Sequence, residues 1–203
     1  AGFSIEPCFD LVSGIDTELQ KKLQFSALPS LGYLTQNIFN VGSAMKISVI
    51  ASLQGLCKTG LLDRIIRDYL SQGFSVQGYY GGSKNESLGC LYQIASPSSA
   101  PGDISLQLSK MGQAIDKLIA LEKKARTDLL NSRRTEMEDL SFRALCVAKY
   151  ARFIEREEAI ELLERIRLGL DLGLIIGAKN TDLTALLYRI QTAHLDFVKS
   201  TGS

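Results

Sequence analysis

The sequence predicts an α+β fold: an antiparallel sheet flanked by helices, with a mostly helical C-terminal half. Three observations carry this. Before Pro97, short β-prone runs alternate with amphipathic stretches. After it, nearly every segment has helical periodicity. The 203 residues are 45% hydrophobic, enough to bury one sizeable core. The chain is therefore read as a single domain over residues 1–203, sheet-rich over 1–97 and helical over 103–203.

From Phe9 to Gln24 the apolar residues follow a modest helical period, and Pro29 and Gly32 mark a turn. Tyr33 to Thr35 reads as a short strand. Met45 to Ser52 (MKISVIAS) reads as a buried one, being β-branched and apolar. Gly60 to Gln72 is a helix closed by Gly73. Ser75 to Tyr80 and Leu88 to Ala95 are two further strands, separated by the polar, glycine-rich loop GGSKNES. PSSAPGD is a linker, and Asp103 suits the N-cap of the helix that follows. In that helix Ile104, Leu108, Met111, Ile115, Leu118 and Ile119 share one face, with Lys110, Lys117, Glu122 and Lys123 largely off it. Three more helices are expected: Glu136 to Arg152, one from Arg156 to the break in RLGLDLGLI, and Leu183 to Val198. The acidic residues of Glu155-Arg156-Glu157-Glu158 suit the positive end of a helix dipole.

A formal net charge of +1 without a clustered basic excess gives no reason to expect nucleic acid or an anionic membrane as a partner. The longest apolar stretches fall far short of the roughly 20 residues that cross a bilayer. No signal peptide pattern opens the sequence, and a cytoplasmic location is expected. Cys8, Cys57, Cys90 and Cys146 form no CxxC pair, so reduced, mostly buried thiols are expected. His194, the only histidine, reads as a half-buried structural residue. Arg126, Arg133, Arg134 and Arg143, interleaved with acidic residues, read as a solvated mixed-charge face rather than a docking surface. Tyr79 and Tyr80 could stack on a base or a guanidinium, or alternate on a strand with one buried and one exposed; the structural account is favoured. GxGxxG, GxxxxGK[ST] and HExxH are absent, and Gly81-Gly82-Ser83 could cradle phosphate or be only a turn.

Several segments, in order, carry a more specific signal. Gly32-Tyr33-Leu34-Thr35, then Asn40 and Gly42, then Met45-Lys46-Ile47-Ser48-Val49 resemble a stretch written G-Y-L-T-x-C-P-T-N-L-G-T-G-M-R-A-S-V. Phe74 to Gly81 resembles L-x-V-R-G-x-Y-G-E, and Glu86 to Ile94 resembles S-E-A-x-G-N-x-Y-Q-I-S-N. Leu118 to Arg126 matches L-I-x-x-E-R-x-A-R, and Ile166 to Ile175 is very similar to V-R-L-G-I-D-L-G-I-I. These motifs belong to the ATP:guanidino phosphotransferases, the last of them to the protein-arginine kinase branch. The resemblance spans roughly Gly2 to Ile175.

It implies an antiparallel sheet flanked by helices, and transfer of the ATP γ-phosphoryl group, with magnesium, to arginine in a protein substrate. It also implies a small zinc-binding activator protein as a partner. The family's residues map here onto weaker chemistry. The cysteine beside the substrate guanidinium falls on Asn37, which cannot become a thiolate. The two phosphate-binding arginines fall on Lys46, which keeps charge without the bidentate fork, and on Gln77, which has no charge. The substrate carboxylate falls on Gly82; Glu86 is the acidic residue nearest to taking its place, although it aligns better with the following family glutamate. The family's N-terminal arginine motif and N-E-E-D-H segment are not among these residues, and the opening Ala1 reads as a fragment. Removing one preorganised group costs on the order of 10² to 10³ in rate. The expected function is thus a degenerate, inactive relative acting as a binding or regulatory module; the alternative is a working protein-arginine kinase seen without its N-terminal half.

Overall fold

The computed structural model describes residues 3–36, 38, 41–81, 87–96 and 104–202. Its elements are α1 (Ile5–Gln20), β1 (Ala27–Leu28), β2 (Gly32–Tyr33), β3 (Ser48–Ser52), α2 (Gln54–Lys58), α3 (Leu62–Ser71), β4 (Ser75–Gly78), a 3-10 turn (Leu88–Cys90), β5 (Leu91–Ala95), α4 (Ile104–Ser132), α5 (Arg134–Tyr150), α6 (Arg156–Asp171), α7 (Asn180–Arg189) and α8 (Thr192–Thr201).

The fold is α+β, as the sequence predicts. β1 and β2 form an antiparallel pair, Ala27 opposite Tyr33. The other three strands lie in the order β3-β5-β4. Both pairings run antiparallel: the Ser96 N–H donates to the Ile47 carbonyl while the Leu53 N–H donates to that of Cys90, and the Tyr79 N–H donates to that of Leu91. Gln77 thereby stands opposite Gln93.

Several boundaries differ from the sequence reading for local reasons. Leu88 to Cys90 is not strand, because Gly89 (φ +65°) and Cys90 (φ +55°) turn the backbone before β5 begins. A side chain at residue 89 would place its Cβ 2.6 Å from the Glu164 Cγ, so glycine is needed both for the left-handed backbone and for the close approach. The last predicted helix is two helices. Gln191 is extended (φ −69°, ψ 140°), and its side-chain amide donates to the Leu187 carbonyl at 2.7 Å, satisfying an acceptor that the end of α7 leaves open. Of the four cysteines, Cys8 and Cys146 are exposed and the other two partly so, where buried thiols were expected; His194 is exposed on α8.

The residues group into two compact units. One comprises 1–49, 67–76 and 94–119; the other 50–66, 77–93 and 120–203. In the first, the periodic face of α4 buries Met111, Ile115 and Leu118, and the buried Tyr69 hydroxyl donates to the Ala114 carbonyl at 2.5 Å. No residue of α1 is buried.

In the second unit, α5 and α6 pack together around Ala144, Ile160, Leu163 and Ile166, with Leu183 and Leu187 of α7 against the same core. The contact is close at Gly169, where a Cβ would lie 2.7 Å from that of Ser141 and 2.8 Å from the Ile175 Cδ1. An ion network fixes the short helix α2. The Glu122 carboxylate accepts from the N–H groups of Gly55 and Leu56 at 2.7 and 2.9 Å, and from the Arg126 Nε at 2.6 Å. Arg126 also donates to Asp171 and to the Ser52 carbonyl. The sequence reading placed Glu122 off the apolar face and Arg126 on a solvated one; both are largely buried, because each satisfies groups on the neighbouring element. Arg134 and Arg143 do lie on an exposed face, paired with Glu138 and Asp139.

Glu164 is fully buried, accepting from the Ser52 hydroxyl at 2.7 Å and the Arg167 Nε at 2.9 Å. Burial raises its carboxyl pKa above the ordinary value of 4.5, against the opposing pull of Arg167 and Ser52.

Four outcomes are expected. G169A forces the tight α5–α6 contact apart and lowers stability by about 1–3 kcal/mol, whereas S141A, which removes a buried hydroxyl with no hydrogen-bond partner among the described residues, leaves the melting temperature unchanged or higher. R126A leaves Glu122 and Asp171 without their cation and costs about 3 kcal/mol in urea denaturation. A carboxyl whose pKa is higher folded than unfolded contributes most to stability below the unfolded pKa and loses that contribution as pH rises. The wild type therefore loses stability relative to E164Q as pH climbs above 4.5. The opposite trend in denaturation curves would show that the Arg167 pair outweighs burial.

Candidate functional site

Lys46 precedes β3. Its neighbour Ile47 is anchored by a double link to Ser96, whose hydroxyl accepts from the Ile47 N–H at 3.2 Å and whose own N–H donates to the Ile47 carbonyl at 2.8 Å. Anchoring residue 47 in this way leaves Lys46 exposed, an ammonium on a flexible stem in water.

Gln77 lies on the exposed face of β4, where half-buried and exposed residues alternate. Its side-chain amide donates to the Gln93 Oε1 at 3.1 Å, one strand away on β5. This position, mapped to a phosphate-binding arginine, is thus a neutral amide engaged with its cross-strand partner. Asn37, Gly82 and Glu86 lie outside the described residues.

The described residues at the two phosphate positions do not fit the clamp that the resemblance implies. That clamp needs two guanidinium forks on the phosphate oxygens; here there are one exposed ammonium and one amide already hydrogen-bonded. Among the described residues, no group of three or more His, Cys, Asp or Glu side chains is placed to hold a metal ion.

A concave feature lies in the second unit. It is an open cavity of about 600 Å³ lined by Tyr80, Gly81, Ser87, Leu88, Arg156, Glu157 and Glu161. The first turns of α6 supply its charge. Arg156 pairs with Glu157 and holds that carboxyl below its ordinary pKa. Glu161 accepts from the Gly89 N–H at 2.7 Å and pairs with Arg165 at 3.4 Å, so its charge is partly spent on positioning the turn before β5. Tyr79 and Tyr80 are both half-buried, their rings edge-to-face at 4.6 Å. They do not alternate, because β4 ends at Gly78. Burial raises both phenol pKa values, and Tyr188 adds a hydrogen bond to Tyr79.

The sequence reading identified Gly81 and the tyrosines but treated Glu155 to Glu158 only as a helix start. What it missed is that α6 faces the end of the glycine loop. The Ile160-to-Ile166 apolar period shows that α6 packs on something, and nothing local shows on what.

Among the described residues, no helix is long and apolar enough to cross a membrane.

Comparison with known proteins identifies the family. Residues 1–125 match the ATP:guanido phosphotransferase C-terminal catalytic domain, and residues 134–201 match the protein-arginine kinase McsB C-terminal domain. A protein-arginine kinase of Exiguobacterium sp. is 28% identical over 194 residues, covering 96% of this chain and 56% of the relative. Protein-arginine kinases of Halalkalibacterium halodurans and Brevibacillus brevis are 32% and 33% identical, each over 96% of this chain and 54% of the relative. The chain spans about half the length of these relatives. With the catalytic-domain match over more than half of its residues, the chain belongs to the ATP:guanido phosphotransferase family and resembles the protein-arginine kinases within it.

Proposed function

We propose that this domain is a degenerate protein-arginine kinase-like module, catalytically inactive, that acts by binding a protein partner or an arginine-bearing protein segment. The observation that carries the reading is the Gln77–Gln93 pair. A catalytic arginine must stay available to the phosphate, and the group in its place is neutral and bonded to the sheet. With Asn37 at the cysteine position and only Lys46 still cationic, three groups of the phosphoryl-transfer apparatus are weakened together, more than the spare capacity of one lysine offsets.

The cavity lined by Tyr80, Ser87 and the start of α6 supports the binding half of the proposal. Tyr80 and the carboxylates of Glu157 and Glu161 line it, so a partner's guanidinium meets an aromatic ring and two carboxylates for which it competes with Arg156 and Arg165. A small zinc-binding activator protein in the cytoplasm is the partner that the family resemblance favours. The second reading, a working kinase using ATP and magnesium, rests on two observations: the relatives named above are protein-arginine kinases, and Lys46 remains exposed and cationic.

The deciding experiment incubates the full-length protein with labelled ATP, magnesium and an arginine-rich protein and follows acid-labile phosphate on arginine. No signal above the enzyme-free control is expected. A clear signal that K46A abolishes would overturn the proposal and make Lys46 a working phosphate clamp.

A further inference from the structure

Cys57 is the penultimate residue of the short helix α2, and Cys90 ends the 3-10 turn that leads into β5. The backbone brings these segments together without any help from sulfur. The Leu53 N–H donates to the Cys90 carbonyl at 2.9 Å, and the Gln54 side-chain amide donates to the Gly89 carbonyl at 3.2 Å. One turn later the Cys57 N–H donates to the Leu53 carbonyl at 2.9 Å, while Glu122 holds the intervening N–H groups of Gly55 and Leu56. Cys90 itself sits at φ +55°, a conformation that side chains other than glycine rarely adopt. The outcome is a pair of facing thiols: the Cys57 S–H donates to the Cys90 sulfur, and the buried Tyr92 hydroxyl hydrogen-bonds to the Cys57 sulfur. Both cysteines keep some solvent access.

We propose that Cys57 and Cys90 are a reversible dithiol–disulfide couple, a modification site that takes peroxide as oxidant and staples α2 to the turn entering β5. The Cys90 sulfur, as thiolate, attacks one oxygen of hydrogen peroxide; the O–O bond breaks, the departing hydroxide takes up a proton as water, and Cys90 becomes a sulfenic acid. The Cys57 sulfur then attacks the Cys90 sulfur, the S–O bond breaks, and a second water leaves with the Cys57 proton. Two thiols and one peroxide become one disulfide and two waters. The order follows from the asymmetry of the pair. The hydrogen bond from Cys57, with Lys58 nearby, lowers the Cys90 pKa, while the same bond and burial push the Cys57 thiol up. The closed stretch contains α3 and β4, so oxidation ties down the segment that carries Gln77. In a reducing compartment such a bond is transient and reports oxidant rather than serving as a permanent brace.

The test uses the protein with the exposed thiols removed, C8S and C146S, treated with hydrogen peroxide, alkylated, digested without reductant and mapped by mass spectrometry. The expected product is a single intramolecular cross-link between the Cys57 and Cys90 peptides, lighter by two hydrogens and reversed by dithiothreitol. The melting temperature of the oxidised protein rises by roughly 5–15 °C. In C57S the Cys90 sulfenic acid has no resolving thiol and is trapped by dimedone. Survival of both thiols in excess peroxide would overturn the proposal, as would their conversion to sulfinic acids with no cross-link.

Discussion

The buried carboxylate of Glu122 is the interaction on which the second unit depends. A five-residue helix such as α2 makes too few internal hydrogen bonds to persist alone. Glu122 accepts from two N–H groups that α2 cannot satisfy itself, and does so from the middle of a 29-residue helix rather than from α2's own N-cap, Leu53, which has no side-chain acceptor. A carboxylate in that position is tolerated only because Arg126, one turn along α4, neutralises it. Arg126 reaches onward to Asp171 at the end of α6 and to the Ser52 carbonyl at the end of β3. One charge thus fixes α2 against α4, and its counter-charge fixes α4 against α6.

That arrangement leaves the fold independent of the two described positions that the family resemblance maps to phosphate contacts. Lys46 and Gln77 are exposed, and neither belongs to the Glu122 or Glu164 networks as described. Exchanging an exposed arginine for lysine or glutamine leaves no cavity and no orphaned buried charge. Gly89, Gly169, Glu122 and Arg126 are the reverse case: each fills or spares space that a neighbour needs, or satisfies groups that water cannot reach. Among the described residues, those that hold the fold and the two that the resemblance maps to phosphate contacts are separate sets, so one can change while the other stays.

This separation also sets what was legible in the sequence. The α4 face of Met111, Ile115 and Leu118 follows from a 3.6-residue period, and the end of α6 is visible in the glycine of RLGLDLGL. β3 and β5 announce themselves through β-branched and apolar runs. α2 does not, because its cause is a carboxylate 66 and 67 residues away. The split of the last helix at Gln191 turns on one side-chain amide, and the turn at Leu88 to Cys90 on the need to pass Glu164. Of the candidate site, Lys46 and Gln77 could be singled out because they stand within motifs. The α6 wall of the cavity could not, since Arg156 and Glu161 carry no motif and meet Ser87 only once the core has formed. The partnership of Cys57 and Cys90 is hidden for the same reason: spacing does not pair thiols, backbone contacts do.

The glutamine pair gives this contrast its functional meaning. A phosphate-binding side chain is useful in proportion to what it withholds from the protein: its donors must remain unspent until the ligand arrives. Gln77 and Gln93 stand directly opposite each other on antiparallel strands, and each satisfies part of the other's hydrogen-bonding capacity. Such a cross-strand pair contributes about 0.2–1 kcal/mol to the sheet. The same contact commits the amide to β5 and gives no charge to a phosphate. At this position the side chain serves the stability of the β4–β5 ladder.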